Sequence, residues 1–155
     1  NIKLNKADNV KLFPYALSNN ESETNFHITA GNWNQKTFNI SSNQPGTEVQ
    51  HVIIKVADEL PDVKALNRLD LVKIDVEGFE YQVLLGLKQT IAKHKPRIIF
   101  EYDKNYWDAN AQNFSECFDF LSTLGYTLYQ ITPVGCELIR HSSAAMTGNL
   151  FCIPS

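Results

Sequence analysis

The spacing of apolar residues changes along the chain, and each change predicts an element. From Leu69 to Val76 the run Leu-Asp-Leu-Val-Lys-Ile-Asp-Val is almost continuous in branched apolar residues, the mark of a strand buried on both faces of a parallel sheet. Directly after it Phe79, Val83, Leu84, Leu87 and Ile91 recur at helical spacing, which predicts one amphipathic helix over residues 77–93. Glu77 and Glu80 fall in its first turn and Lys88, Lys93 and Lys95 toward its end, as the helix dipole favours. Pro96 stops the helix, and Arg97–Tyr102 reads as a second buried strand. Strand, helix and strand with short connections make a βαβ unit, which implies a right-handed crossover and a parallel pair.

The flanks extend this α/β pattern. Upstream, residues 10–17 read as a short strand ending in the turn formers Ser18, Asn19 and Asn20. Two strand-like runs, Thr24–Ile28 and Lys36–Ile40, flank the polar residues 30–34 and suggest a hairpin; residues 41–48 read as a loop. Val49–Val56 is rich in strand formers, and Ala57–Leu60 begins a helical turn that Pro61 cuts. Downstream, Phe114, Cys117, Phe118, Leu121 and Leu124 form a helical stripe capped by Gly125, and Tyr126–Ile131 is a strand. A loop through Pro133 and Gly135 leads by Cys136–Arg140 to a last strand, Asn149–Ile153. No helix separates these two final strands, so the last one is expected to run antiparallel.

Composition narrows the class. A chain of 155 residues, 43% hydrophobic and 20% charged, suits a single globular domain with one core. Its net charge is -3 and its basic residues are scattered, which argues against a nucleic-acid partner. The densest basic run, Lys93-His94-Lys95-Pro96-Arg97, fits a helix C-terminus. No apolar run reaches the length of a membrane span and no signal peptide is apparent. Cys117, Cys136 and Cys152 form no CxxC, and Cys117 and Cys152 sit in apolar patterns, as reduced thiols of a cytoplasmic protein would. The histidines at 27, 51, 94 and 141 show no ligand spacing, and no serine or cysteine sits in a nucleophile elbow.

Candidate chemistry gathers at strand ends, where open α/β sheets bind ligands. Asp75 closes the first strand of the βαβ unit, Glu101 closes the second, and Glu77 opens the helix. If extended geometry continued, alternation would put Lys73, Asp75 and Glu77 on one side. Gly78 permits an unusual backbone angle at the turn. Such carboxylates could deprotonate a hydroxyl, orient it, or hold a divalent cation, and spacing alone does not choose.

The stretch Lys73-Ile74-Asp75-Val76-Glu77-Gly78-Phe79-Glu80, with Val83-Leu84-Leu85-Gly86 and Pro96-Arg97-Ile98-Ile99-Phe100-Glu101, resembles the recurring core of FkbM-type methyltransferases. Tyr15-Ala16-Leu17-Ser18 is similar to that family's Ala-Leu-Ser/Gly turn, and Val56-Ala57-Asp58-Glu59-Leu60 to its Thr-Leu-Asp-Glu segment, with Val56-Ala57 in place of Thr-Leu. Leu124-Gly125-Tyr126 and Gly148-Asn149-Leu150-Phe151 fit the end of the domain. The resemblance implies a Rossmann-like class I sheet, mostly parallel with an antiparallel last strand. It also implies methyl transfer from S-adenosylmethionine to a hydroxyl oxygen of a small-molecule or sugar acceptor. By the same resemblance Ala16, Leu17 and Ser18 lie near the adenine, Asp75 and Glu77 face the methyl group and the acceptor, and Glu101 stands across the cleft.

The chain also departs from that pattern. Its seven glycines, at 31, 46, 78, 86, 125, 135 and 148, include no GxG pair, and the first strands with their glycine-rich turn are not apparent. Residues 1–9 read as the tail of a preceding helix, so residues 1–155 are expected to be one N-terminally truncated methyltransferase domain. Two other classes fit the residues. One is a metal-dependent hydrolase or phosphotransferase with Asp75 and Glu101 on Mg²⁺. The other is a non-catalytic module whose surface, or sugar-binding rim beside Asp103 and Asp108, is built from Trp33, Tyr102, Tyr106 and Trp107.

Overall fold

The structure, a computed structural model, is described for residues 4–29 and 47–155. The chain divides into two compact units, residues 1–16 with 22–54 and residues 17–21 with 55–155. Strands β1 (Ala16–Ser18), β2 (Ser22–Thr29) and β3 (Thr47–Val56) form a sheet in the order β1-β3-β2. Strands β2 and β3 pair antiparallel from Ser22 opposite Ile54 to Thr29 opposite Thr47. The predicted strand over residues 10–17 is reduced to its end, because Val10–Tyr15 has no regular structure and Pro14 brings no N–H to a ladder. Residues 4–9 form turns rather than a helix tail. The predicted partner strand Lys36–Ile40 and the hairpin tip at 30–34 lie outside the described residues.

The second unit carries the βαβ core. A 3-10 turn (Ala57–Glu59) precedes α1 (Pro61–Lys64). Pro61 therefore opens a helix, since its fixed φ and missing N–H suit a first helical position. Strand β4 (Leu71–Ile74) is followed by α2 (Glu80–Gly86), α3 (Lys88–His94) and β5 (Arg97–Tyr102). Helices α4 (Lys104–Ala109) and α5 (Phe114–Thr123) lead to β6 (Tyr126–Thr132), β7 (Gly135–Leu138), a 3-10 turn at Ser142–Ala144, and β8 (Gly148–Pro154). These strands form one sheet in the order β4-β5-β8-β6-β7.

Its pairing corrects the expectation of a mostly parallel sheet. Only β4 and β5 pair parallel, while β5–β8, β6–β8 and β6–β7 are antiparallel. The cause is connectivity. Helices α4 and α5 return the chain so that β6 runs in the direction of β5, but β8 arrives from a hairpin without a helix and inserts between them. The hairpin strand β7 falls in the stretch whose sequence pattern shows only connecting chain.

The single predicted helix over 77–93 is two helices. The Leu87 amide bonds the Leu84 carbonyl at 3.2 Å, a tightened turn that closes α2. Asp58, 7% exposed, then caps α3 from the 3-10 turn, accepting the amides of Gln89 at 2.7 Å and Thr90 at 3.0 Å. Lys95 ends α3 in a left-handed conformation, φ 48°, and its Nζ bonds the Leu124 carbonyl at 2.5 Å, so the basic run is a helix terminus as expected.

Burial alternates along the strands. Ile98, Phe100, Leu128, Leu150 and Cys152 are buried, with α2, α3 and α5 contributing Leu84, Ile91, Cys117 and Leu121 to the same core. The intervening positions, such as Lys73, Ile99, Tyr129 and Phe151, are half-buried or exposed. Strand β4 is accordingly not buried on both faces: Ile74 is buried, but Leu71 is 51% exposed. The Tyr126 hydroxyl donates to the Pro96 carbonyl at 2.7 Å inside this core, and burial raises its pKa to about 12.

Candidate functional site

Strand β4 ends at Ile74, and the chain then turns sharply through Asp75–Phe79 before α2. Glu77 has φ 53° and Gly78 φ 94°, so the extended geometry that would align Glu77 with Lys73 and Asp75 does not continue. A non-glycine residue in the left-handed region costs about 1–2 kcal/mol and persists only where neighbours hold it. Two groups do so. The Glu80 carboxylate, 1% exposed, accepts the amide of Val76 at 2.9 Å and that of Gly78 at 3.1 Å. Asn110 Nδ2 donates to the Glu77 carbonyl at 3.1 Å from the end of α4. A Cβ on Gly78 would lie 2.7 Å from the Tyr106 carbonyl, so the turn needs glycine for space as well as for its angle.

The turn and the end of β5 bring carboxylates together. The parallel register pairs Ile74 with Phe100, which makes Asp75 and Glu101 the next residues along neighbouring strands. That register sets the two acids side by side, and like charges so placed disfavour ionisation. Burial raises the Glu101 pKa most, followed by the charge and hydrogen bond of Asp75 and the charges of Glu77 and Glu80. Glu77 is raised by burial first, then by Asp75, Glu80 and Asp103. Lys73 reaches Asp75 Oδ2 at 3.0 Å, but both side chains are about half exposed. Such a surface pair contributes at most about 1 kcal/mol and leaves the cluster under-compensated.

The structure thus joins Asp75 to Glu101 at the carboxyl ends of two parallel strands and puts Glu77 close enough to be felt by both. Ala16, Leu17 and Ser18 form β1 and are half-buried. A Cβ on Gly86 would meet the Ser18 carbonyl at 2.1 Å, so β1 ends against the last residue of α2, while the acid turn precedes the first. Six residues of helix separate Gly86 from Glu80, roughly 9 Å. No group of three or more His, Cys, Asp or Glu side chains is arranged to hold a metal among the described residues. A divalent cation therefore gains no support from the Asp75–Glu101 pair.

The aromatic residues divide. Trp107 is 1% exposed and packs against Phe100, Tyr102 and Phe114, with ring centroids 6.2, 5.3 and 5.6 Å away. It is a core residue rather than part of a binding surface. Tyr106 is exposed, and Trp33 lies outside the described residues. Beyond the end of β5 a cavity of about 640 Å³ opens between Tyr102, the end of α4, the start of α5 and Ser142–Ser143.

Glu80 and Asn110 support the site without standing out in the sequence as site-forming residues. Glu80 has the sequence of an ordinary first-turn acid; its place two residues after a turn glycine was the available signal. Asn110 acts on a residue 33 positions away, and nothing in its local sequence marks it.

Among the described residues no helix is long and apolar enough to cross a membrane. The chain matches the family model described as the methyltransferase FkbM domain over residues 1–128, which includes every carboxylate of the cluster. No curated protein and no solved structure gives a significant match.

Proposed function

The chain belongs to the FkbM methyltransferase family, and from that membership we propose S-adenosylmethionine-dependent methyl transfer to a hydroxyl oxygen of a sugar or other small metabolite, on a Rossmann-like sheet. The observation that carries the reading is the Asp75–Glu101 pair, whose Glu101 is kept protonated more readily than an ordinary carboxyl group. When bound, S-adenosylmethionine supplies a methyl group on a positively charged sulfur. An under-compensated set of carboxylates is a favourable environment for that charge. The residues proposed to hold it are Ala16, Leu17, Ser18 and Asp75.

This chain's own part is to position the acceptor and take its proton. Asp75, with Glu77 beside it, accepts a hydrogen bond from the acceptor hydroxyl and then its proton as the oxygen gains the methyl group. Glu101, next to it at the end of β5 with its pKa raised first by burial and then by Asp75, orients the Asp75 carboxylate. Glu80 and Asn110 keep the turn in its strained conformation and so act through Asp75 and Glu77.

Calorimetric titration of the full encoded protein with S-adenosylhomocysteine tests the reading. Saturable binding is expected, and its absence would overturn the proposal. Asp75→Asn is expected to keep that binding while lowering the rate of methyl transfer about 100-fold or more, as loss of a proton acceptor does.

A further inference from the structure

We infer that Asn149, at the start of β8, is a further ligand-binding residue of the carboxylate site, and that it selects a molecule with a second oxygen next to the hydroxyl held by Asp75. Strand register puts it there: Asn149 is the direct cross-strand partner of Glu101, as Phe151 is of Ile99. Side chains directly opposite on antiparallel strands share a face, with Cβ atoms about 5 Å apart. Ile98, Phe100, Leu150 and Cys152 are buried in the core with the helices, so Glu101 and Asn149 project from the other face of the sheet. Asp75 projects there too, since it contacts Lys73, whose partner on β5 is Ile99. Asp75, Glu101 and Asn149 therefore form one lateral row across three neighbouring strands.

Folding does not account for this asparagine. Asn is a poor strand former, and Asn149 is exposed within β8. Its side-chain amide has no partner among the described residues. Its backbone, by contrast, is held firmly. The buried Gln130 donates from Nε2 to the Asn149 carbonyl at 3.3 Å and accepts the Met146 amide at 3.0 Å, which pins the entry to β8. An unengaged amide on a fixed backbone can bond a ligand with little further ordering.

Asn149 supplies what the acids lack. An ionised carboxylate only accepts, so a hydroxyl bound to Asp75 uses its hydrogen there. Lys73 is engaged with Asp75 Oδ2 and the Ile74 carbonyl. Asn149 Nδ2 is uncharged and has two hydrogens to give, so it can donate to an oxygen on the neighbouring carbon. Hydrogen bonds of about 2.8 Å at each end of such a pair of oxygens span strands about 4.8 Å apart. The ligand chemistry of the row is thus a vicinal pair of oxygens, at least one of them a hydroxyl. That the bound molecule is a methyl acceptor rests on the methyl-transfer reading; its recognition by Asn149 does not.

Side-chain amide NMR of the full encoded protein, isotope-labelled and titrated with the cis vicinal diol of cyclohexane and with cyclohexanol, tests the inference. The diol is expected to shift the Asn149 Nδ2 resonances and to bind about fivefold more tightly than cyclohexanol, the difference made by one neutral hydrogen bond. Asn149→Val suits a strand and removes the donor, so it should unfold no earlier than the unsubstituted protein and bind the two probes alike. Asn149→Asp keeps the shape but replaces the donor with an acceptor, and should also lose the preference. Equal or absent binding of the two probes, an unshifted Asn149 amide, or a preference that survives in Asn149→Val would overturn the inference. Titration of the same sample with S-adenosylhomocysteine separates the two readings: diol preference without binding of that compound removes the methyl-transfer reading alone, and the reverse removes this one alone.

Discussion

Glu80 and Gly78 hold each other in place: the buried carboxylate accepts the Gly78 amide at 3.1 Å, and the glycine's φ of 94° aims that amide at it. The charged acceptor sits at the start of α2, where the dipole also favours it. What reads in the sequence as a favourable helix charge is the internal support of the turn that presents Asp75 and Glu77.

Glu80→Ala should lower stability by about 2–4 kcal/mol, because two amides lose a charged acceptor inside the structure. Urea unfolding measures this, with an unchanged m-value showing that only the native state is affected. Glu80→Gln keeps one oxygen to accept and should cost less. Its methyl-transfer rate should fall while S-adenosylhomocysteine affinity is retained, the split expected of a positioning residue.

Gly78→Ala combines a left-handed backbone with a contact of 2.7 Å to the Tyr106 carbonyl, which is backbone and cannot swing aside. A loss above about 1 kcal/mol is expected from the angle alone, and more from the clash. Asn110→Ala, which frees the Glu77 carbonyl without a clash, should be milder in urea unfolding.

The Glu101 shift carries a pH dependence. Its native pKa is raised above the ordinary 4.5, first by burial and then by Asp75, so just above that pH the native chain binds more protons than the unfolded one. Stability then falls as pH rises from 4.5 through the native value, and stays lower beyond it. Glu101→Gln cannot ionise and should raise the thermal midpoint at neutral pH. That gain should vanish once the medium is acidic enough to protonate Glu101 in both states. A gain that persists in acid would assign the effect to packing instead.

Much of this was legible from periodicity. The β4–helix–β5 unit, the stripe on α5 and the strands β6 and β8 follow from residue spacing, because each buries one stripe or one face in the common core. The order β4-β5-β8-β6-β7 was not legible in full, since strand insertion is decided by how connections pack and not by any strand's own residues. The break at Leu87 was hidden because apolar spacing continues through it; the cue was Asp58, which is remote in sequence. The neighbouring positions of Asp75 and Glu101 follow from strand ends visible in the sequence, whereas the alignment of Glu77 with Lys73 and Asp75 depended on extended geometry that stops at the last strand residue.

Asp58 offers a test of that break. Its carboxylate satisfies two amides at the start of α3, a capping arrangement worth about 0.5–2 kcal/mol when the side chain is cut back to alanine. Asp58→Ala should therefore lower the urea midpoint by an amount in that range. Because Asp58 lies in the family-like segment 56–60, the variant also separates a structural from a catalytic role. Methyl transfer that survives at temperatures where the variant remains folded identifies Asp58 as a helix cap.

The thiols provide a check on the packing of the sheet. Cys117 of α5 and Cys152 of β8 are both 0% exposed, and burial raises both pKa values far above the ordinary 9.0, so neither presents a thiolate to solvent. Cys136 on β7 is exposed. Because the thiolate is the reacting form, a thiol-specific reagent at mildly alkaline pH should modify Cys136 alone in the native protein and all three cysteines in denaturant. Peptide mapping of the labelled protein reads this directly. Native labelling of Cys152 would show that β8 leaves its place between β5 and β6. Glu101 pairs through its neighbour Asn149 on that strand, so the same opening would disturb the end of β5 on which the Asp75–Glu101 pair depends.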